Sequence, residues 1–112
     1  MMIKVDVLGV EYTIKQLDKV KDLHLENCDG YCDHTTKTIV IDTFKIYEGQ
    51  PGTLENLDAY EKKVIRHELV HAFLFESGLS ACSWAKDEEI VDWITAQFPK
   101  MMKVFKEVNV DD

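Results

Sequence analysis

Basic side chains are scarce in this chain. Its 112 residues include 13 lysines and arginines against 21 aspartates and glutamates, a formal net charge of −8, and Arg66 is the single arginine. A general nucleic-acid surface needs clustered lysine and arginine to neutralise phosphates, so the composition argues against nucleic acid as a partner. An acidic field favours cations, which fits a metal ion or a basic peptide but is equally a solubility device.

Cysteines and long apolar runs are also few. The three cysteines are an odd count, the N-terminus has no apolar signal region, and no run reaches membrane length. These absences predict a reducing, cytoplasmic location, no membrane partner, and buried or idle thiols. A separate structural zinc site made of Cys28, Cys32, His34 and Cys82 is a minor alternative, although its spacing is unusual.

Repeats, low-complexity tracts and linkers are absent from the sequence as well. With 112 residues, 46% of them apolar, the chain has room for one hydrophobic core. We expect a single domain over residues 1–112.

One short stretch, His67-Glu68-Leu69-Val70-His71, carries a mechanism of its own. Helix residues four apart lie about 40° apart around the axis, so His67 and His71 can direct ring nitrogens at one ion. Glu68 projects from the neighbouring flank, where it can take a proton from a water on the metal. The stretch predicts a zinc site with two ligands and one general base; the alternative is an accidental match between packed or surface histidines.

Residues 58–76 have the helical periodicity that this motif requires, and Gly78 supplies a stop. On a helical wheel an apolar cluster lies opposite the two histidines, so one side of the helix can face a core and the other a cleft. That cluster is formed by Ile65, Leu69, Ala72 and Phe73.

A third zinc ligand is predicted at the start of a second amphipathic segment, at Glu88. Asp92 follows one turn later on the same flank and can hold a histidine by a hydrogen bond to its free ring N–H. Glu89 is the competing ligand, but it has Trp93 rather than an acid one turn later. The remaining alternative is an ordinary acidic first turn stabilised by the helix dipole.

Two β-hairpins are predicted in the N-terminal part. The first joins residues 2–7 and 10–14 around Leu8-Gly9, and the second joins residues 31–33 and 38–42 after the turn signal Asp29-Gly30. Residues 42–52 are expected to form a loop. Together with the two helices, these strands predict an α+β fold with a short, mainly antiparallel sheet.

The second helix is predicted to begin near Lys86 and to be interrupted at Pro99, whose ring cannot continue the hydrogen-bonding ladder. A last helical piece at residues 100–108 would follow.

The motif at residues 67–71, followed by Glu88 and Asp92 in ExxxD spacing, resembles the gluzincin clan of zinc metallopeptidases. The chain is nearest to the minimal gluzincins and is also similar to ImmA/IrrE-type and phage-encoded zincin-like domains of bacteria. The resemblance implies a zincin-like domain that binds Zn²⁺ through His67, His71 and Glu88. It also implies that Glu68 is the general base and that Asp92 forms a hydrogen bond to the free ring N–H of a histidine ligand.

The resemblance further implies a peptide or protein substrate, paired with a strand at the rim of the cleft, either residues 38–42 or residues 31–33. The alternative is a plain core strand. Large gluzincins carry a later His or Tyr that stabilises the oxyanion, and this chain has neither after Trp93. The upstream candidates for that role are Tyr31, His34, Tyr47 and Tyr60.

Three functions follow as hypotheses. The first is a zinc metallopeptidase. The second is a zincin-fold metal-binding module of a regulatory or mobile-element protein with little or no proteolysis, suggested by the missing later donor. The third is an interaction domain without a metal.

Overall fold

The structure is a computed structural model that describes residues 2–44 and 56–112. The elements are β1 (Met2–Val7), β2 (Val10–Leu17), β3 (Gly30–Asp33), β4 (Thr38–Asp42), α1 (Leu57–Glu76), α2 (Ser83–Lys86) and α3 (Glu88–Glu107). The four strands form one mixed sheet in the order β1-β2-β4-β3, so the fold is α+β, as predicted. No helix among the described residues combines the length and apolar content needed to cross a membrane.

The first hairpin turns at Leu8 and Gly9. Both residues have positive φ, 52° and 90°, which is the combination a type I′ turn requires. The Gly9 N–H donates to Asp6 Oδ1 at 2.6 Å, and Val7 lies opposite Val10 across the ladder. The predicted hairpin is confirmed, and β2 extends beyond residue 14 to Leu17.

β4 lies in the middle of the sheet and pairs with β2 in parallel, from Thr13 opposite Thr38 to Leu17 opposite Asp42. The sequence did not predict this pair. A central place suits β4 because its apolar side chains are buried on both faces of the sheet. After β2 the chain passes beyond the position of β4 and forms β3. This strand pairs with β4 in antiparallel fashion and is an edge strand within the described residues. The predicted loop at residues 42–52 lies largely outside the described residues.

α1 begins after Asn56, whose side-chain oxygen accepts a hydrogen bond from Ala59 N–H at 3.1 Å. It ends just before Gly78, which has φ 85°. The prediction of a helix at residues 58–76 is confirmed.

The buried stripe of α1 consists of Val64, Glu68 and Ala72, spaced one turn apart. Phe73 was expected to face the core, and this is wrong, since its side chain is 44% exposed. Successive helix positions differ by about 100°, so a core contact through Ala72 turns Phe73 toward solvent. The stripe places a carboxylate, Glu68, on the buried side of the helix.

The core lies between the sheet and α1. Its buried apolar side chains are Val7, Tyr12, Ile14, Ile39, Ile41, Phe44, Val64 and Ala72. Gly30 brings the edge strand β3 against this core, because a Cβ there would lie 2.9 Å from Ile41 Cδ1 and 2.9 Å from Val64 Cγ1. A residue without a side chain is therefore required where β3 approaches α1.

α3 continues through Pro99, so the predicted interruption and the separate piece at residues 100–108 are wrong. Proline lacks the N–H that would bind the carbonyl four residues earlier, here that of Thr95. The Thr95 carbonyl instead accepts a hydrogen bond from Arg66 Nε–H at 3.2 Å. A donor from α1 thus replaces the hydrogen bond that Pro99 cannot make. The predicted start near Lys86 falls at the end of α2, and Asp87 then caps α3.

Lys19 ties the segment between β2 and β3 to the sheet. Its ammonium donates to the carbonyl oxygens of Leu25 and Cys28 at 2.9 and 3.0 Å. It also lies 3.6 Å from Asp29 Oδ1 and 3.7 Å from Asp42 Oδ2. The Asp42 side chain is only 2% exposed, so its charge depends on this ammonium.

Glu76 ties the end of α1 to the sheet. Its Oε2 accepts hydrogen bonds from Lys37 Nζ at 2.7 Å and from the Tyr12 hydroxyl at 2.6 Å. These bonds hold the pKa of Glu76 below its ordinary value, with the positive charge of Lys37 acting in the same direction. The helix that carries the histidine motif is thereby fixed to β2 and to the turn before β4.

The substitution Lys19→Met is expected to lower the free energy of unfolding by about 3 kcal/mol, because it leaves the buried Asp42 carboxylate without its cation. Urea unfolding measures the loss. Adding Asp42→Asn to the Lys19→Met variant should recover part of it, since the uncompensated charge is then gone. A Lys19→Met protein as stable as wild type would contradict this account.

Glu76→Gln should flatten the acid limb of the stability curve. Because the folded pKa of Glu76 is depressed, its contribution is present above the ordinary value of 4.5 and is lost as pH falls through the folded pKa. Urea midpoints measured from neutral pH to about pH 3 should therefore fall less for Glu76→Gln than for wild type. Equal slopes in the two proteins would show that Glu76 makes no such contribution.

Candidate metal centre

The two histidines of the motif face each other on one side of α1. Their Nε2 atoms are 3.2 Å apart, and the rings meet edge to face with centroids separated by 4.8 Å. Both side chains are largely enclosed, with 22% of His67 and 19% of His71 exposed. One turn of helix separates them along the axis, so the i, i+4 spacing delivers the geometry expected of it.

Glu88 reaches this pair from the first turn of α3. Its Oε2 lies 2.9 Å from His67 Nε2, and its Oε1 lies 3.0 Å from His71 Nε2. Asp87 fixes the start of the helix, because its side chain accepts a hydrogen bond from Glu89 N–H at 2.9 Å. The cap therefore determines which acidic residue of the first turn faces α1.

Asp92 approaches His67 from the other side of the ring. Its Oδ1 lies 2.9 Å from His67 Nδ1. An ionised carboxylate can only accept, so it holds a proton on Nδ1 and, in the neutral ring, leaves the lone pair on Nε2. That lone pair points into the space shared with His71 and Glu88. This is the arrangement of a histidine ligand oriented by a carboxylate behind it.

The donor set fits a zinc ion. In a tetrahedral site with zinc–ligand distances of about 2.0–2.1 Å, neighbouring ligand atoms lie about 3.3 Å apart. Here the two Nε2 atoms are 3.2 Å apart, and Glu88 Oε2 lies 2.9 Å from His67 Nε2 and 3.3 Å from His71 Nε2. The Nε2 lone pair of His67 and the Glu88 carboxylate are both acceptors, and a cation between them removes their repulsion.

Glu68 lies beside this group and is buried. Its side chain belongs to the core stripe of α1, and the residue is 7% exposed. Burial raises the pKa of Glu68 to about 7, the neighbouring His67 opposes the shift, and the charge of Glu88 adds to it. Ligand atoms of Glu68, His67 and His71 all lie within 4.8 Å of one another. A carboxyl group that changes protonation near neutrality suits a general base.

Two hollows meet at the histidine motif. The larger, of about 890 Å³, lies between α1 and α3, and the smaller, of about 500 Å³, lies between α1 and the edge strand β3. Cys28, Gly30, His67 and Glu68 line both hollows. The two hollows therefore lie side by side at the site, and together they are called the groove. Cys28 was not predicted to line it; the Asp29-Gly30 turn signal was the available hint.

Glu89 has no place among the candidate metal ligands that the structure brings together within the described residues. It lines the larger hollow with Trp93 and is not among the groups of described residues whose ligand atoms could share a metal. Those groups are His67 with Glu68 and His71, and His67 with Glu88 and Asp92. Glu88, by contrast, lies within 3.0 Å of both histidine Nε2 atoms.

Three upstream oxyanion candidates lie in the described residues, whereas Tyr47 lies outside them. The Tyr31 hydroxyl donates to Asp22 Oδ2 at 2.5 Å, and the Tyr60 hydroxyl donates to Asp29. Burial and the Asp22 bond raise the pKa of Tyr31, and the Asp29 bond, followed by burial, raises the pKa of Tyr60 to about 12. Both phenols are therefore protonated donors that already have an acceptor.

His34 lies in the smaller hollow with His71 and Glu88. Its ring stacks on Phe75 at 4.1 Å between centroids, and Nδ1 lies 3.5 Å from Cys32 Sγ. Burial lowers the pKa of His34, which keeps the ring neutral at neutral pH. A neutral imidazole retains one N–H donor.

The alternative zinc site at Cys28, Cys32, His34 and Cys82 is not formed. All four residues are described, and no cysteine belongs to a group that could hold a metal within the described part of the chain. Cys28 Sγ donates to the carbonyl oxygen of His24 at 3.1 Å, and burial raises the pKa of Cys32 to about 12. The four side chains are therefore not brought together as a metal site in the structure.

Comparison with protein-family models, with curated proteins and with solved structures finds no significant match to this chain. The chemistry of the site therefore rests on its own geometry.

Purified wild-type protein is expected to hold about one zinc ion per chain by mass spectrometry. His67→Ala should abolish binding, because it removes a central ligand. Glu88→Ala should weaken zinc binding by tenfold or more, on the order of the losses measured around other zinc sites. Glu89→Ala is the matched control and should bind as wild type does. Zinc retained by His67→Ala, or lost equally in the two glutamate variants, would contradict the ligand set.

Proposed function

We propose that this protein is a zinc-dependent metallopeptidase of the gluzincin type, which hydrolyses peptide bonds. The observation that carries the proposal is the convergence of His67, His71 and Glu88, with ligand atoms 2.9–3.2 Å apart, beside the buried carboxylate of Glu68. A zincin-like arrangement belongs to the proposal, with a sheet before the motif helix α1 and the glutamate ligand on the following helix α3.

In this proposal His67, His71 and Glu88 hold the zinc ion, and Asp92 orients the His67 ring from behind. Zinc, when bound, supplies a Lewis acid that polarises a carbonyl and makes a water more acidic. A histidine must carry no proton on the nitrogen that binds zinc. Asp92 meets this requirement for His67, because it holds the ring proton on Nδ1, away from the metal.

Glu68 acts as the proton carrier. It accepts a proton from the attacking water, whose oxygen bonds to the peptide carbonyl carbon, and it returns that proton to the nitrogen as the C–N bond breaks. A pKa near 7 suits both transfers, because the carboxylate form and the acid form are then both accessible at neutral pH. Its burial also excludes bulk water from competing for the proton.

The groove suits an extended peptide. The edge strand β3 borders the smaller hollow, and its outer edge, which pairs with no strand among the described residues, offers backbone groups for pairing with a substrate strand. On the other side, Tyr60, Ile90 and Trp93 line the larger hollow, with the acids Asp87 and Glu89 at the same wall. These surfaces favour a substrate with a bulky apolar side chain near a basic one.

His34 is the oxyanion donor in this proposal. The hydroxyls of Tyr31 and Tyr60 already donate to aspartates, whereas the His34 ring shares the smaller hollow with His71 and Glu88. A neutral imidazole with one N–H can stabilise the charge that develops on the carbonyl oxygen.

A second candidate function is a metal-binding module of a regulatory or mobile-element protein that acts by binding a partner rather than by hydrolysis. It is favoured by the engagement of both phenols with Asp22 and Asp29 and by the lack of any His or Tyr after Trp93. Under this candidate the site is retained for its shape and stability.

Glu68→Gln tests the first function against the second. The amide has nearly the same shape but cannot carry the proton, so turnover of unfolded casein or of a fluorogenic peptide library should fall about 10²–10⁴-fold. Zinc content should match that of wild type, because Glu68 is not a ligand. Zinc-loaded wild type that cleaves no faster than Glu68→Gln would contradict the peptidase and favour the second candidate.

A further inference from the structure

Pro99 creates an unsatisfied carbonyl inside α3. A proline has no N–H, so the carbonyl oxygen of Thr95, four residues earlier, lacks its usual helical donor. Thr95 is 1% exposed, and water cannot readily take the place of that donor. The side chain of Thr95 does not help, since its hydroxyl donates to the Val91 carbonyl at 2.8 Å.

Arg66 supplies the missing donor across the helix interface. Its Nε–H donates to the Thr95 carbonyl oxygen at 3.2 Å. Within the described residues its guanidinium forms no ion pair with a carboxylate at 4.0 Å or less, so the carbonyl is its specific partner. The single arginine of the chain lies on α1 and thus supplies a hydrogen bond that α3 lacks.

The hydrogen bond from Arg66 to Thr95 lies next to the contacts between α1 and α3 that form the metal centre. Along α1 and α3 the contacts follow in order: His71 to Glu88, His67 to Asp92, and Arg66 to Thr95. Arg66 directly precedes the ligand His67, and Thr95 lies about one turn beyond Asp92. A slide of α3 by one residue would shift its side chains by about 1.5 Å along the axis and 100° around it.

We infer that Arg66 is a positioning residue for the metal centre: by binding the carbonyl that Pro99 leaves free, it fixes the axial position of α3 against α1. Glu88 and Asp92 are thereby held opposite the two histidines. This inference rests on the proposed function for its metal readout. The bond is directional, and it acts beside the α3 side chains Val91 and Thr95, which are 0% and 1% exposed.

The experiment is a double-mutant cycle with Arg66→Met and Pro99→Ala. Arg66→Met keeps the length of the side chain but removes the donor, and Pro99→Ala restores the N–H to the helix. Zinc dissociation constants are measured by competition with a chromophoric chelator, and cobalt(II) spectra report the geometry of the ligands. Thermal unfolding of the zinc-free proteins is measured in parallel.

Arg66→Met is expected to weaken zinc binding about tenfold and to alter the cobalt spectrum, as loss of an outer contact does at other sites. Pro99→Ala should bind zinc within about twofold of wild type and unfold at a higher temperature. In the double variant the carbonyl has its helical donor again, so thermal stability should recover while zinc affinity stays low. Recovery of both would show that Arg66 only satisfies the carbonyl and would overturn the inference.

A metal-free readout separates this inference from the proposed function. In zinc-free protein, nuclear Overhauser contacts between the His67 ring and the Asp92 side chain report the helix register directly. They should be present in wild type and Pro99→Ala and absent in both variants that carry Arg66→Met. If wild type binds no zinc, the proposed function fails, and these contacts still decide the inference: their survival in Arg66→Met overturns it.

Discussion

The site depends on one constraint, the fixed side-by-side placement of α1 and α3. α1 supplies the imidazoles of His67 and His71, and α3 supplies the carboxylates of Glu88 and Asp92. Every distance between one of these imidazoles and one of these carboxylates therefore depends on how the two helices are placed. Each end of the arrangement is tied separately. Glu76 holds α1 to the sheet, and Asp87 sets where α3 begins.

The same placement brings three acidic side chains together around the histidine motif. Glu68, Glu88 and Asp92 lie around two imidazoles in a chain with a net charge of −8. Without a cation, like charges and facing lone pairs oppose one another. Burial is the main cause of the raised pKa of Glu68, and the charge of Glu88 adds to it. A divalent ion turns the repulsion into coordination, so folding of this region and metal binding are expected to support each other.

The sequence was sufficient for features that depend on neighbours in the chain. The hairpin at Leu8-Gly9, the helix containing His67 and the closeness of Glu88 to the two histidines all follow from local spacing. The parallel pairing of β2 with β4 was missed because nothing local specifies which strand takes the centre of a sheet. The continuity of α3 through Pro99 was missed for a related reason. The donor that replaces the proline N–H belongs to Arg66, which lies 29 residues earlier in the chain.

Glu68 occupies a position that the fold would otherwise give to an apolar residue. Val64 and Ala72 flank it in the same buried stripe, and a leucine or methionine there would fill the space without a desolvated acid. The carboxylate therefore lowers folding stability at the centre of the molecule. If variants were selected for heat resistance alone, replacements of Glu68 should be among the first to emerge, and a collection of stabilised sequences would then lose this carboxylate while keeping the fold.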